Sequence, residues 1–206
     1  MTTEVSRHWD GVYGSRTFDE VSWYQSLPER SLRHIEDAVA NRDAAIIDAG
    51  GGASTLVDHL LDAGFNDVTV LDISGRALQQ ARHRLGTRAD AVNWVVADVR
   101  TFRPDREFSI WHDRAVLHFL IDADERARYV EALQRALLPG AMLVLSTFGP
   151  DGPLKCSGLP ICRYDVDRLK ELLGSCFELQ DHEFEDHETP AGAKQQFLYT
   201  RWVRKE

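Results

Sequence analysis

Cysteine and clustered positive charge are both scarce in this sequence. Its 206 residues include three cysteines, Cys156, Cys162 and Cys176, which are too few for a disulfide framework and are spaced unlike the ligands of a zinc site. The 33 acidic residues outnumber 24 basic ones, giving a net charge of -9, and the absence of a basic stripe argues against a nucleic-acid partner. We therefore expect a protein of the reducing cytoplasm that holds no metal.

Long apolar runs are also absent. No stretch approaches the length of a transmembrane helix, and the first residues form no apolar signal region. A hydrophobic fraction of 43% is ordinary for a soluble globular protein. Without an internal repeat or a linker, we predict one domain over residues 1–206 and no membrane partner.

The stretch around residues 46–61 predicts a strand, a tight turn and a helix. An apolar run stops at Asp48, three glycines follow at 50–52, and apolar residues return at helical spacing from Leu56. Glycines allow the backbone to turn sharply and allow a ligand to lie against it. We call residues 50–52 the glycine turn and expect a ligand beside it.

The same strand and helix pattern continues along the chain. Four further apolar runs predict strands, at residues 68–73, 92–98, 108–113 and 142–146. Their alternation with helical segments indicates a parallel sheet covered on both faces. The C-terminal part differs, because a helix at 165–173 precedes two strand-like runs near 177–184 and 196–203, which predict an antiparallel pair.

Helix starts carry recognisable signals in this region. Pro28 suits the opening of a helix, and Ser74 suits the cap of the helix after the second strand. Asp122 with Glu125 resembles a capping box.

Three consecutive predicted strands end in a carboxylate, namely Asp48, Asp72 and Asp98. Ligands of open parallel sheets bind beyond the carboxyl ends of the strands, so these side chains are expected to face one crevice. Asp72 follows Gly52 by 20 residues, the distance at which a carboxylate binds the ribose hydroxyls in nucleotide folds. A dinucleotide is disfavoured, since Thr55 replaces the last small residue of that fingerprint. Asp48 better suits a ligand with an ammonium or sulfonium group.

The segment Asp48-Ala49-Gly50-Gly51-Gly52 resembles the first motif of class I S-adenosylmethionine-dependent methyltransferases. Asp72 and Asp98 resemble the second and third motifs, and the likeness covers roughly residues 44–148. It implies an α/β fold of the Rossmann-like type, a three-layer sandwich with a mostly parallel seven-stranded sheet and a C-terminal antiparallel strand pair. The implied cofactor is S-adenosyl-L-methionine.

The resemblance also implies roles for strand-end residues. The residues expected at the cofactor are Asp48, Gly50, Gly52, Asp72, Ile73, Asp98 and Val99. The two glycines would lie under the methionine part and Asp72 would bind the ribose. Ile73, Asp98 and Val99 would surround the adenine. The chain departs from the family at Ser54, where many members have a further glycine.

An N-terminal motif resembles a narrower group of methyltransferases. His8-Trp9-Asp10-x-x-Tyr13, followed by Trp23, is similar to a subset that includes lysine methyltransferases acting on an elongation factor. By that likeness residues 1–25 are an aromatic arm or lid, with Trp9, Tyr13 and Trp23 closing over the cofactor. An aromatic face attracts a sulfonium by about 0.5–2 kcal/mol. Packing of these rings on the domain alone is the alternative.

The end of the fourth strand offers candidates near the reacting atoms. Asp113-Arg114-Ala115 is similar to a stretch in thiopurine methyltransferases. Arg114 is expected to contact the cofactor, and Asp113 to line the acceptor side, unless the pair only caps the strand. His112 and His118 are candidates for a general base, because the histidine pKa lies near 6.5. Of these residues, Asp113 and His118 are the catalytic candidates.

The loop at residues 149–164 follows the fifth strand and is expected on the acceptor side, where Cys156 is a candidate pocket residue. The sequence thus predicts in-line methyl transfer from S-adenosylmethionine to a small-molecule nucleophile through sulfur, nitrogen or oxygen. The alternatives are a protein lysine methyltransferase and a non-catalytic cofactor-binding module. We expect a monomer or weak homodimer.

Overall fold

A computed structural model describes residues 4–206 as one seven-stranded sheet with helices on both faces. The helices are α1 (Glu4–Ser15), α2 (Glu29–Ala38), α3 (Leu56–Asp62), α4 (Gly75–Leu85), α5 (Ala123–Ala136) and α6 (Val166–Leu173). The strands are β1 (Ile46–Ala49), β2 (Val68–Asp72), β3 (Val92–Val96), β4 (Phe108–Arg114), β5 (Leu137–Phe148), β6 (Lys155–Cys156), β7 (Leu159–Pro160), β8 (Phe177–Glu188) and β9 (Lys194–Arg204).

The strand order of the large sheet is β3-β2-β1-β4-β5-β9-β8. Strands β1 to β5 run parallel, while β9 runs antiparallel to both β5 and β8. The order reverses between β1 and β4, so a crevice opens there at the carboxyl ends of the strands. The predicted mostly parallel seven-stranded sheet with a C-terminal antiparallel pair is confirmed.

Each face of the sheet is covered by its own apolar core. Trp111, Tyr129 and Leu143 belong to one core, whereas Ile35 and Val144 belong to the other. Consecutive strand residues point to opposite faces, so both faces of a central strand are buried. This rigid double-sided core fixes the strand ends that build the site.

Two of the three cap signals act as expected. The Ser74 hydroxyl accepts the Ala77 N–H at the start of α4, and Pro28 directly precedes α2. Asp122 caps α5 by accepting N–H groups of the first turn. Glu125 does not close the predicted capping box, because it pairs with Arg100 instead.

Several elements are longer than the sequence pattern predicts. α1 forms 12 residues of the expected N-terminal arm, and β5 begins at Leu137, although the apolar run predicts a strand only from residue 142. β8 and β9 extend beyond the predicted runs into the residues between them, where Glu188 pairs with Lys194 across the strands. Ladder hydrogen bonds therefore outweigh local polarity in the hairpin. The loop at 149–164 contains the short β6–β7 hairpin.

Candidate functional site

A cavity of about 360 Å³ opens at the carboxyl ends of the central strands, beneath α1. Its lining includes ten residues that the sequence singled out, Trp9, Tyr13, Trp23, Gly50, Asp72, Ile73, Asp98, Val99, Arg114 and Cys156. A second cavity of about 40 Å³ lies against the glycine turn and includes Asp48 in its lining. Gly50 and Arg114 line both cavities, so the two are adjacent. Asp72 and Asp98 thus face one cavity as expected, whereas Asp48 lines only the smaller cavity and Gly52 lines neither.

The glycine turn requires glycine at its first and last positions. Gly50 and Gly52 have positive φ angles of 72° and 47°, a region that other residues rarely adopt. A Cβ atom on Gly52 would lie 2.8 Å from the Asp72 Oδ2 atom and 3.4 Å from the Tyr13 hydroxyl. A Cβ atom on Gly50 would overlap Val116. Gly50 therefore lines the cavity, while Gly52 lets Asp72 and Tyr13 approach the turn closely.

Asp72 lies at the end of β2 and is 8% exposed. Its Oδ1 atom accepts the Ser74 N–H at 2.7 Å. Burial raises the pKa of Asp72 to about 7 against the effect of that hydrogen bond, and the charges of Asp48 and Asp10 raise it further. Two ligand hydroxyl donors would stabilise the ionised carboxylate. The side chain is therefore suited to a vicinal diol such as ribose.

Asp98 takes part in a charged network that the sequence reasoning missed. Arg100 donates from Nε to both carboxylate oxygens of Asp98, at 2.9 and 3.1 Å, and also pairs with Glu125. Burial acts to raise the pKa of Asp98, but the Arg100 hydrogen bonds and charge outweigh it and hold that pKa below its usual value. All three side chains line the cavity. Asp98 is thus an ionised acceptor whose position Arg100 fixes.

Arg114 lies between the two cavities with an unpaired donor. Its Nε donates to the Tyr199 hydroxyl at 2.9 Å, and its Nη1 donates to the Trp23 carbonyl at 3.1 Å. The guanidinium also stacks 4.3 Å from the centre of the Phe197 ring. Its Nη2 atom is buried and has no hydrogen-bond partner among residues 4–206. Buried donors are normally satisfied, so this atom is available to an anionic group of a ligand.

The aromatic residues of the N-terminal segment form one contact network at the cavity. The Trp23 Nε1 donates to the Tyr13 hydroxyl at 3.3 Å. Trp9 packs edge-to-face on Trp23 and on Phe119, with ring centroids 5.8 and 5.0 Å apart. Burial, together with the charge of Asp72, raises the pKa of Tyr13, so its hydroxyl stays protonated. These rings line the same cavity as Asp72 and Arg114.

Asp48 and His112 take part in a buried hydrogen-bond network with Ser31. The His112 Nδ1 lies 2.7 Å from the Asp48 Oδ1, and its Nε2 lies 2.9 Å from the Ser31 hydroxyl. All three residues are buried and join β1, β4 and α2. Both ring nitrogens of His112 therefore have hydrogen-bond partners. Asp48 borders only the smaller cavity, beside the glycine turn.

The catalytic candidate Asp113 faces the interior, and the expectation that it lines the acceptor side is not met. It is fully buried and accepts the Val116 N–H, the Leu117 N–H and the Tyr129 hydroxyl. Burial raises its pKa to about 6 despite these hydrogen bonds. Asp113 therefore caps the turn after β4, the alternative that the sequence left open.

His118, the other catalytic candidate, is also directed away from the cavity lining. Its Nδ1 accepts the Phe148 N–H at 3.3 Å, and its ring stacks on Phe148. Burial, aided by the Arg114 charge, lowers the pKa of His118 to about 3. A neutral imidazole whose basic nitrogen is already bonded is poorly placed to act as a general base.

Within residues 4–206 no group of three histidine, cysteine or carboxylate side chains is arranged to hold a metal ion. No helix in that part of the chain has the length and apolar character needed to cross a bilayer.

Comparison with known proteins gives the family context. Residues 46–140 match the family model described as a methyltransferase domain. The eEF1A lysine and N-terminal methyltransferase of Mus musculus is 24% identical over 119 residues, which are 57% of this chain and 17% of that protein. The chain thus spans about one sixth of this relative. EEF1A lysine methyltransferase 2 of Mus musculus is 25% identical over 201 residues, 89% of this chain and 74% of that protein.

A solved structure agrees in fold over nearly the whole chain. The 1,6-didemethyltoxoflavin-N1-methyltransferase of Burkholderia thailandensis, with bound 1,6-didemethyltoxoflavin and S-adenosylhomocysteine, has a TM-score of 0.71 at 20% identity and covers 98% of this chain and 85% of that one. Residues 46–140, which contain the glycine turn, therefore match a methyltransferase domain, and the fold is the one found in class I S-adenosylmethionine-dependent methyltransferases.

Proposed function

We propose that this chain transfers the methyl group of S-adenosylmethionine to a small, largely apolar nucleophile. The cofactor, when bound, supplies a methyl group already activated on a positively charged sulfur. The observation that carries the proposal is one cavity in which polar strand-end residues line one side and aromatic side chains the other. The chain's own task is then to align the acceptor with the methyl group for in-line displacement.

The polar side of the cavity fits the three parts of the cofactor. Asp72 would accept the two ribose hydroxyls, and Ile73, Asp98 and Val99 would surround the adenine. The unpaired Nη2 of Arg114 lies next to the glycine turn and matches the methionine carboxylate. Asp48, behind the same turn, adds negative charge near the ammonium end.

The opposite side of the cavity is apolar. It is lined by Trp9, Trp23, Phe119, Cys156 and Leu159, and the three aromatic rings would cover the bound cofactor. Ligand sites commonly measure about 300–1,000 Å³. A cavity of about 360 Å³ lies in this range, and its apolar side would take a small acceptor beside the cofactor.

The predicted general-base candidates are not available at the acceptor end. Asp113 and His118 are engaged in internal hydrogen bonds. Burial raises the pKa of Cys156 to about 11, although the Arg114 charge opposes this, so the thiol is protonated near neutral pH. The acceptor therefore brings its own free electron pair. Proximity and orientation can supply roughly 7–11 kcal/mol of the barrier.

A protein lysine side chain is the second candidate acceptor. The likeness to EEF1A lysine methyltransferase 2 over 89% of this chain favours it. Val5 and Ile121 at the cavity rim are 41% and 50% exposed, and such a rim suits contact with a peptide. Entry of a lysine into an apolar cavity requires loss of its proton, which disfavours this candidate.

The assignment is tested first by cofactor binding. We expect S-adenosylhomocysteine to bind the wild type in a calorimetric titration and Arg114→Met to weaken that binding by roughly 10- to 100-fold, because a charge-assisted hydrogen bond is lost. Arg135→Met, which removes an arginine paired with Glu131 on the surface of α5, is the matched control. Absence of binding by the wild type at millimolar ligand would contradict the proposal.

The acceptor class is tested by turnover. Small thiols, amines and phenols are compared with lysine-containing peptides by the release of S-adenosylhomocysteine. We expect higher kcat/KM for a small apolar acceptor than for any peptide. Turnover confined to peptides would favour the lysine candidate instead.

A further inference from the structure

Asp10 belongs to the N-terminal aromatic motif but does not line the cavity. It lies on α1, and its Oδ1 atom accepts the Ser74 hydroxyl at 2.7 Å and the Arg76 N–H at 3.3 Å. Ser74 is fully buried and caps α4. Asp10 therefore joins α1 to the start of α4.

The same serine also holds the carboxylate at the expected ribose position. The Ser74 N–H donates to the Asp72 Oδ1 at 2.7 Å. One residue thus connects Asp10, through its hydroxyl, with Asp72, through its backbone. The two carboxylates also interact through their charges, since Asp10 contributes to the raised pKa of Asp72 after burial and Asp48.

Polar contacts add to the aromatic packing that holds α1 in place. Ser6 is its one fully buried residue, and Trp9 and Tyr13 are half-buried against Trp23. Gln80 on α4 provides a second attachment, donating from Nε2 to the carbonyls of Tyr13 and Arg16 at 2.8 and 2.9 Å. The helix held in this way carries Trp9 and Tyr13 into the cavity wall.

We propose that Asp10 is a positioning residue that latches α1 over the cofactor cavity through Ser74. The occupant of the cavity rests on the proposed function, whereas the latch is a contact within the chain. Ordering of Asp72 by the cofactor then favours docking of α1, and docked α1 slows release of the cofactor. The coupling is reciprocal, as for any two linked equilibria.

Two variants, one that removes the hydrogen bonds of Asp10 and one that keeps an acceptor there, distinguish a positioning role from a merely structural one. Asp10→Ala deletes both hydrogen bonds, whereas Asp10→Asn retains an acceptor oxygen. We expect Asp10→Ala to speed dissociation of S-adenosylhomocysteine about tenfold or more, as for loss of a hydrogen bond to a charged group, and to leave kcat at saturating cofactor much less affected. Asp10→Asn should restore dissociation to within about threefold of the wild type.

Amide hydrogen exchange over residues 4–15 measures the latch directly. Asp10→Ala should accelerate exchange there even without cofactor, whereas Glu4→Ala, an exposed carboxylate on the same helix, should not. Unchanged exchange and unchanged dissociation in Asp10→Ala would overturn the proposal. Faster exchange in a protein that binds no S-adenosylhomocysteine would instead contradict the proposed function and retain the latch.

A second variant covers the case in which Asp10→Ala does not fold. Asp10→Glu keeps the charge but moves the carboxylate by one methylene, out of register with Ser74. We expect exchange over residues 4–15 and cofactor release to be faster than in Asp10→Asn. The reverse order would show that charge rather than hydrogen-bond geometry holds α1, and would overturn the latch.

Discussion

At the scale of single residues, Asp72 links stability to cofactor binding. Its pKa in the folded chain, about 7, exceeds that of an unfolded aspartate, near 3.9. The native state therefore holds a proton that the unfolded state has lost, and stability without cofactor falls as pH rises from about 4 to 7. The difference between the folded and unfolded pKa values corresponds to about 4 kcal/mol of unfolding free energy.

Asp72→Asn should remove this dependence. The amide oxygen still accepts the Ser74 N–H, but no charge is buried, so the free variant is expected to be at least as stable as the wild type at pH 8. Its affinity for S-adenosylhomocysteine should fall about 10- to 100-fold. Urea unfolding between pH 4 and 8 and calorimetry measure the two effects. Asp167→Asn, with a side chain 93% exposed, is the control, and undiminished binding in Asp72→Asn would contradict the ribose assignment.

Gly52 and Gly86 form a matched pair of glycines with positive φ, 47° and 60°. Alanine at either position adds conformational strain of about 1–2 kcal/mol. A Cβ on Gly52 meets Asp72 and Tyr13, whereas a Cβ on Gly86 meets nothing within 4 Å. We expect both variants to lose stability in urea but only Gly52→Ala to lose S-adenosylhomocysteine binding. Equal binding by the two variants would show that the glycine turn does not contact the ligand.

At the scale of elements, α2 is joined to the sheet by a buried series of hydrogen bonds from Ser31 to His112 to Asp48. Ser31→Ala leaves the His112 Nε2 without its partner at 2.9 Å, and an unsatisfied buried polar group costs about 1–3 kcal/mol. We expect that loss in urea unfolding, with cofactor affinity little changed. Ser175→Ala, at an exposed position, should be neutral. If Ser31→Ala leaves the stability in urea unchanged, the position of α2 does not depend on these hydrogen bonds.

The sequence pattern predicted the elements and most strand-end residues, because apolar runs and glycines act locally. Contacts between residues that lie far apart in the sequence were harder to predict. Asp48 and His112 lie opposite each other in the β1–β4 register, a pairing created by the reversal of strand order. Alternation along β4 turns Asp113 inward, while Arg114 reaches the cavity. Arg100 was missed because its role depends on a partner on α5, Glu125.

At the scale of the whole molecule, β8 forms one edge of the sheet and, within residues 4–206, pairs with β9 alone. Such an edge strand is a template for pairing with a second copy. Glu178, Asp186 and Glu188 are exposed along it, and the chain carries a net charge of -9. Like charges at the edge oppose association, so we expect a monomer at physiological salt.

Neutralising that edge is expected to promote self-association. The variant Glu178→Gln, Asp186→Asn, Glu188→Gln removes three negative charges from β8 and leaves the backbone hydrogen-bonding groups of the edge available. Sedimentation equilibrium should detect dimers in this variant at concentrations where the wild type is monomeric. A control that neutralises Asp105, Asp167 and Glu171, exposed residues outside β8, changes net charge equally. Equal association in both variants would mean that total charge, rather than the acidic edge, keeps the chains apart.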